Sequence, residues 1–269
     1  MKAIIIDLTV CNGCYACQIG CKDEHVANDW PGYAKPQPNI GHFWLKIDEK
    51  VRGTIPKVKV AYRPHLCMHC GFCIDICKNE AIYRRDDGLV IIDPDKCIGC
   101  MTCIDACPYE AIYYNKDLLI SQKCTGCAHL LDDGWEHPHC ALNCPNEAIK
   151  FVDVESLDVF RNDPQYEVIK PELNLPVRVF YKGILKTFIA GTVYDPTEKE
   201  VLIEAKLTLK NKNTGETRDM ETDWAGDFWF HDVACDANYS LTIAYSDKTK
   251  TIDDIYTADD VNLGDIAFE

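Results

Sequence analysis

The sequence has no apolar run near the ~20 residues that cross a bilayer as a helix, a shortage of basic residues, and almost no cysteine after residue 144. Each shortage excludes something. Without such a run, no membrane span is expected. With 28 Lys and Arg against 43 Asp and Glu, a formal charge of −15, the chain repels nucleic acid rather than binding it. The plain reading of this acidity is solubility; docking to a basic carrier or subunit is the sharper one. No nucleophile–base pair, phosphate-binding glycine loop or paired-carboxylate signal stands out, so no catalytic residue is assigned and no bond chemistry is expected of this chain itself. Only ten residues precede Cys11, which leaves no room for a secretory leader. The expected location is the cytoplasm, with carriage across a membrane by a partner's export signal left open.

What is abundant is cysteine, 17 in 269 residues. Disulfides are rare in a reducing compartment, so dense cysteines there point to metal. Three quartets have the spacing C-x2-C-x2-C-x3-C: Cys11/Cys14/Cys17/Cys21, Cys67/Cys70/Cys73/Cys77 and Cys97/Cys100/Cys103/Cys107. A fourth is stretched in the middle: Cys124, Cys127, Cys140 and Cys144. Three closely spaced thiolates wrap one face of a [4Fe–4S] cubane, while the fourth cysteine serves a second cluster. Structural zinc also takes four cysteines, but in two well-separated pairs. For the stretched quartet, with His137 and His139 nearby, zinc stays open as the alternative. Its company favours a cluster, because an odd number of cubanes would strand one outward-pointing cysteine.

Cross-ligation then predicts four sets. Cluster A takes Cys11, Cys14, Cys17 and Cys144; cluster B takes Cys21, Cys124, Cys127 and Cys140. Cluster C takes Cys67, Cys70, Cys73 and Cys107; cluster D takes Cys77, Cys97, Cys100 and Cys103. This nested pairing brings the ends of the cysteine-rich region together and lines four clusters up as a wire. Cys235 stands alone and reads as a buried or turn thiol. With every cluster already holding four thiolates, His25, His65, His69 and His129 read as groups supporting the ligands or an interface. Lys123 either raises a cluster potential by its charge or is a solvated surface lysine.

The chain carries internal repeats. Lys78-Asn79-Glu80-Ala81-Ile82-Tyr83, Pro108-Tyr109-Glu110-Ala111-Ile112-Tyr113 and Pro145-Asn146-Glu147-Ala148-Ile149 each follow the last cysteine of a quartet. Each repeat predicts a cysteine loop, a short helical turn and a strand. Residues 1–150 are therefore expected to form a four-cluster ferredoxin-like region, with an inner module over 60–120 and an outer module joining 1–59 to 121–150. Residues 151–180, broken by Asn162-Asp163-Pro164 and Lys170-Pro171, read as a connector. Residues 181–269 alternate short β-branched and aromatic runs with turn signals such as Asn213-Thr214-Gly215, which predicts an antiparallel β-sandwich of transthyretin or immunoglobulin kind. Trp224, Phe228, Trp229 and Phe230 are read as core and interface residues. The expected fold class is α+β: duplicated ferredoxin-like [4Fe–4S] domains followed by the sandwich.

Four quartets in this order, the last stretched, resemble the four-cluster subunits of molybdopterin oxidoreductases such as dimethyl sulfoxide reductase. Connecting segments are more specific. Lys22-Asp23-Glu24-His25, Asp29-Trp30-Pro31-Gly32-Tyr33, Cys67-Met68-His69-Cys70, Gln122-Lys123-Cys124-Thr125 and Cys127-Ala128-His129-Leu130-Leu131-Asp132-Asp133 resemble small subunits of the pyrogallol–phloroglucinol transhydroxylase family, with catechol dehydroxylases as relatives. That resemblance implies a large partner subunit carrying molybdenum on two pyranopterin guanine dinucleotides and acting on polyhydroxylated aromatics, in a heterodimer or a multiple of it, with an external electron donor or acceptor. In that family the cysteines matching Cys77, Cys97, Cys100 and Cys103 are largely missing, whereas here all four are present. Reductive dehydroxylation, which must import electrons, is therefore expected ahead of redox-neutral transhydroxylation. A free polyferredoxin carrier and an adhesion or carbohydrate role for the sandwich are the competing readings.

Overall fold

The computed structural model describes residues 1–269, which form two compact units. The first comprises Met1–Glu49 and Tyr62–Ile184; the second comprises Lys50–Ala61 and Leu185–Glu269.

The first unit is organised by a four-stranded sheet in the order Ile149–Asp153, Lys2–Asp7, Val179–Lys182, Tyr166–Glu167. Lys2–Asp7 runs antiparallel to the first of these and parallel to Val179–Lys182. Successive strand residues point to opposite faces, and both faces here are covered. Ile4 and Ile6 join a core with Phe151, Val179 and Tyr181, while Ala3 and Ile5 join another with Leu157 and Phe180. That double burial is why the strand reads as a continuous apolar run instead of an alternating one.

Residues 151–180 are therefore no bare connector. They hold the end of one sheet strand, the helix Asp158–Arg161, the edge strand Tyr166–Glu167, the 3-10 turn Pro171–Leu173 and the start of a further strand. The breakers at Pro164 and Pro171 punctuate this segment but do not release it, because its apolar residues close the lower face of the sheet. Nor do the inner and outer cysteine modules separate as units; Cys21, Cys67, Cys124 and Cys140 sit in one shared core.

The repeats recur in the backbone. Glu80, Glu110 and Glu147 adopt left-handed φ of 51°, 52° and 51°. Each donates its N–H to the carbonyl of the cysteine three residues earlier, at 3.1 Å in every copy. The loops then lead into strands: Ile82–Arg84 pairs with Val90–Ile92, and Ile112–Asn115 with Ile120–Lys123. The helix Ala16–Val26 continues the first quartet, and the short helices Ala128–Asp132 and His139–Leu142 flank the stretched part of the last.

The second unit is mostly β. One sheet orders Glu200–Val201, Thr187–Asp195 and Asp227–Val233, with Val261–Ala267 parallel to Thr187–Asp195. The other is antiparallel throughout, in the order Thr217–Glu221, Lys206–Asn211, Asn238–Tyr245, Lys248–Tyr256. Ile189, Val193, Phe228 and Phe230 of the first share a core with Leu207, Leu209, Leu241 and Ile243 of the second. Trp224 departs from its expected place: it is 83% exposed in a turn, while Phe228 and Phe230 are buried. Position explains this, since Trp224 lies outside the strands and has no sheet face to fill.

Candidate cluster sites

The cysteine loops close around cavities, all within the first unit. One is lined by Cys67, Cys70, Cys73 and Cys107, a second by Cys77, Cys97, Cys100 and Cys103, and a third by Cys11, Cys14, Cys17 and Cys144. Each of the three combines cysteines from two different quartets. Cys21, Cys124, Cys127 and Cys140 are buried together, and each of Cys21 and Cys140 feels the charges of the set. Burial pushes both thiols well above the usual range, and Cys124 and Cys127 raise them further.

Local backbone sets this geometry. Residues entering the loops take left-handed conformations, as at Tyr15, Met101 and Cys127, so that successive N–H groups turn inward. Several reach sulfur: Gly126 N–H to Cys124 Sγ at 3.3 Å, His69 to Cys67 at 3.4 Å, Ser121 to Cys97 at 3.4 Å and Ala148 to Cys144 at 3.2 Å. Gly99 has a φ of +68°, and a Cβ there would collide with the Leu119 carbonyl. Such N–H···S contacts stabilise thiolate ligands.

As bare thiols these residues are poorly housed. Burial pushes Cys17 and Cys73 up to about 12 and Cys124 up to about 11. A site that buries four sulfurs around a cavity and aims N–H groups at them fits a group that carries positive iron, so the residues fit a [4Fe–4S] cubane. No three His, Cys, Asp or Glu side chains close to the spacing of one metal ion, which fits a single zinc poorly. His139 is engaged elsewhere, its Nδ1 hydrogen-bonded to Glu24 Oε2 at 2.7 Å.

The sites follow one another. Cys73, Cys77, Cys97, Cys103 and Cys107 share one apolar cluster, which places sites C and D side by side. Cys17, Cys21, Cys67, Cys124 and Cys140 meet in the larger core of the same unit.

Supporting groups are partly legible in the sequence. His25 is 1% exposed, with Nε2 3.8 Å from Cys127 Sγ. His69 is fully buried, its Nδ1 accepting the Val90 N–H at 3.0 Å. His129 bonds Glu24 Oε1 at 2.9 Å and stacks on Trp30 at 4.1 Å. His65 bonds the Tyr109 carbonyl at 2.7 Å through Nε2. Sequence reasoning misses Glu24: it stands beside His25 in the chain, but only the fold brings two other histidines to its two oxygens. Lys123 is no surface lysine: it is 2% exposed. Cys235 is an exposed turn thiol and joins no site.

The family described as "4Fe-4S dicluster domain" matches residues 3–78 and again 58–154, and "Carboxypeptidase regulatory-like domain" matches 188–266. The chain is thus an iron–sulfur electron-transfer small subunit of the molybdopterin oxidoreductase kind. The pyrogallol hydroxytransferase small subunit of Pelobacter acidigallici is 38% identical over 93% of this chain and 94% of its own length. The chain belongs to that family. The thiosulfate reductase electron transfer subunit of Salmonella typhi is 32% identical over 60% of this chain and 81% of its own length. The arsenate respiratory reductase iron–sulfur subunit of a Shewanella species is 29% identical over 71% and 98%. Shaft pilin SpaA of Lactobacillus rhamnosus GG aligns over 33% of this chain and 49% of its own, at 14% identity and a TM-score of 0.25. No helix is long and apolar enough to cross a membrane.

Proposed function

We propose that this chain holds four [4Fe–4S] clusters on the sets A to D and passes electrons to or from a large catalytic subunit. That partner would carry molybdenum on a bis-pyranopterin guanine dinucleotide and reductively dehydroxylate polyhydroxylated aromatics. A bound cubane supplies one-electron storage. The chain's own part is to hold the sulfurs, exclude water from them and keep neighbouring sites close.

The observation that carries the reductive reading is the complete cavity at site D, with all four of Cys77, Cys97, Cys100 and Cys103 on its wall. A redox-neutral reaction needs no fourth relay, whereas imported electrons need an unbroken series. The 38% identity to a pyrogallol hydroxytransferase subunit supports a second reading, a transhydroxylase. We take the two β sheets of residues 185–269 as a sandwich. It supports a role as a fixed subunit instead of a free carrier, since a carrier has no use for it.

The purified complex, given pyrogallol without an electron donor, separates these. No product without donor, and a dehydroxylated product with a reduced viologen, is the expected result. Phloroglucinol formed without reductant would sink the reductive reading, and a monomer that never co-purifies with a large subunit would favour a free carrier.

A further inference from the structure

Lys123 ends the strand Ile120–Lys123 and is among the largest fully buried side chains of the protein. Its ammonium donates to the Val90 carbonyl and, at 3.0 Å, to the Cys124 carbonyl. No carboxylate pairs with it, whereas the buried Arg52 and Lys57 are held by Asp260 and Asp227. Burying an ammonium without a countercharge is unfavourable. The sequence tolerates this only if negative charge is supplied by something other than a side-chain carboxylate.

The two carbonyls show where that charge lies. Val90 lines the cavity of site C, and Cys124 belongs to the set of site B. The ammonium therefore sits on the seam between two sites that would each carry about −2 when loaded, and more when reduced. Arg84, on the other side of the Cys67–Cys73 loop, is exposed and spends its donors on the His69, Cys70 and Gly88 carbonyls.

Resting on the four-cluster reading, we propose that Lys123 is a shared positioning charge for the two interior clusters. Its buried ammonium raises the reduction potentials of clusters B and C together and leaves clusters A and D, at the ends of the series, nearly unaffected. Adding an electron makes a cluster more negative, so a fixed positive charge nearby stabilises the reduced form, strongly so away from water. The interior of the series then accepts electrons as readily as its ends, and transfer is not blocked by an uphill middle step.

The test uses the full complex, with iron content measured first. About sixteen iron atoms per chain in the unaltered protein establishes the reading on which the proposal rests; a lower count defeats that reading before any variant is compared. Potentiometric titration followed by electron paramagnetic resonance then compares Lys123→Gln and Lys123→Arg. With full iron, Lys123→Gln is expected to disfavour reduction of two of the four clusters by at least about tenfold, or 59 mV for one electron. Lys123→Arg keeps both near their original potentials. Unchanged potentials in Lys123→Gln, or an equal shift of all four clusters, would overturn the proposal. If Lys123→Gln loses iron, retention of iron and potentials by Lys123→Arg still shows that charge is required. Loss in both variants assigns Lys123 a packing role and ends the proposal.

Discussion

The guanidinium of Arg85 closes on the carboxylate of Asp132 through two hydrogen bonds, Nη2 to Oδ1 at 2.7 Å and Nη1 to Oδ2 at 2.9 Å. Tyr33 donates to the same carboxylate at 2.5 Å. Arg85 belongs to the segment of the inner quartets, Asp132 to the stretched outer one and Tyr33 to the stretch after the first helix. Three parts of the cysteine region are thereby tied at one carboxylate. Arg85, and then Tyr33, hold Asp132 below the ordinary carboxylate range. A depressed folded value contributes stability that is present above the unfolded pKa, near 4, and is lost as pH falls through the folded one. Asp132→Asn is expected to cost about 0.5–1 kcal/mol in denaturant at neutral pH, because the pair is partly solvated. The difference from the unaltered protein should close below about pH 4. A difference that persists unchanged into acid would refute the linkage.

Gly99 offers a cluster-specific lesion. Its positive φ and the close Leu119 carbonyl leave no room for a Cβ, and it lies between two cysteines of site D. Gly99→Ala is expected to lower iron from about sixteen to about twelve atoms per chain while clusters A and B keep their signals. Gly215, also at positive φ but with nothing near its absent Cβ, is the control and should leave iron unchanged. Equal losses in both variants would mean that general instability, not loop closure, is at work.

Why these features differ in legibility is physical. Ligand spacing is local, so the quartets and the repeats that follow them can be read directly from residues such as Cys77 to Ala81. Burial of a charge is not local. Lys123 looks like any strand-end lysine until the Val90 strand and the Cys124 loop close over it. Glu24 acquires its role only when two distant helices bring His129 and His139 to it. The segment 151–180 misleads because its prolines read as an end to structure. Its apolar residues, among them Leu157, instead pack under the first strand.

In the second unit, Thr257 is fully buried, and its hydroxyl shares a proton between the Ala234 and Ala237 carbonyls at 2.7 and 3.0 Å. It also accepts the Ala237 N–H at 3.2 Å. Thr257→Val keeps the shape but strands the Ala234 carbonyl and the Ala237 N–H, while the Ala237 carbonyl keeps the Thr257 N–H, so a loss of about 1–3 kcal/mol is expected. Thr257→Ser, which keeps the hydroxyl, should recover much of that loss in the same thermal or urea measurement. A valine variant as stable as the unaltered protein would show that these hydrogen bonds contribute nothing.

Cross-ligation makes the sharpest arithmetic. Cys107 lies four residues past Cys103 but lines the cavity of Cys67, Cys70 and Cys73, and Cys77 lines that of Cys97, Cys100 and Cys103. If each quartet held its own cluster, Cys67→Ala and Cys107→Ala would damage two different clusters. Under cross-ligation they damage the same one. The double variant Cys67→Ala/Cys107→Ala is therefore expected to retain about twelve iron atoms per chain, no fewer than either single variant. Cys67→Ala combined with Cys77→Ala should fall to about eight, although both cysteines belong to one sequence motif. The reverse pattern, with the Cys67/Cys77 pair costing one cluster and the Cys67/Cys107 pair two, would show that ligation follows the sequence and not the cavities.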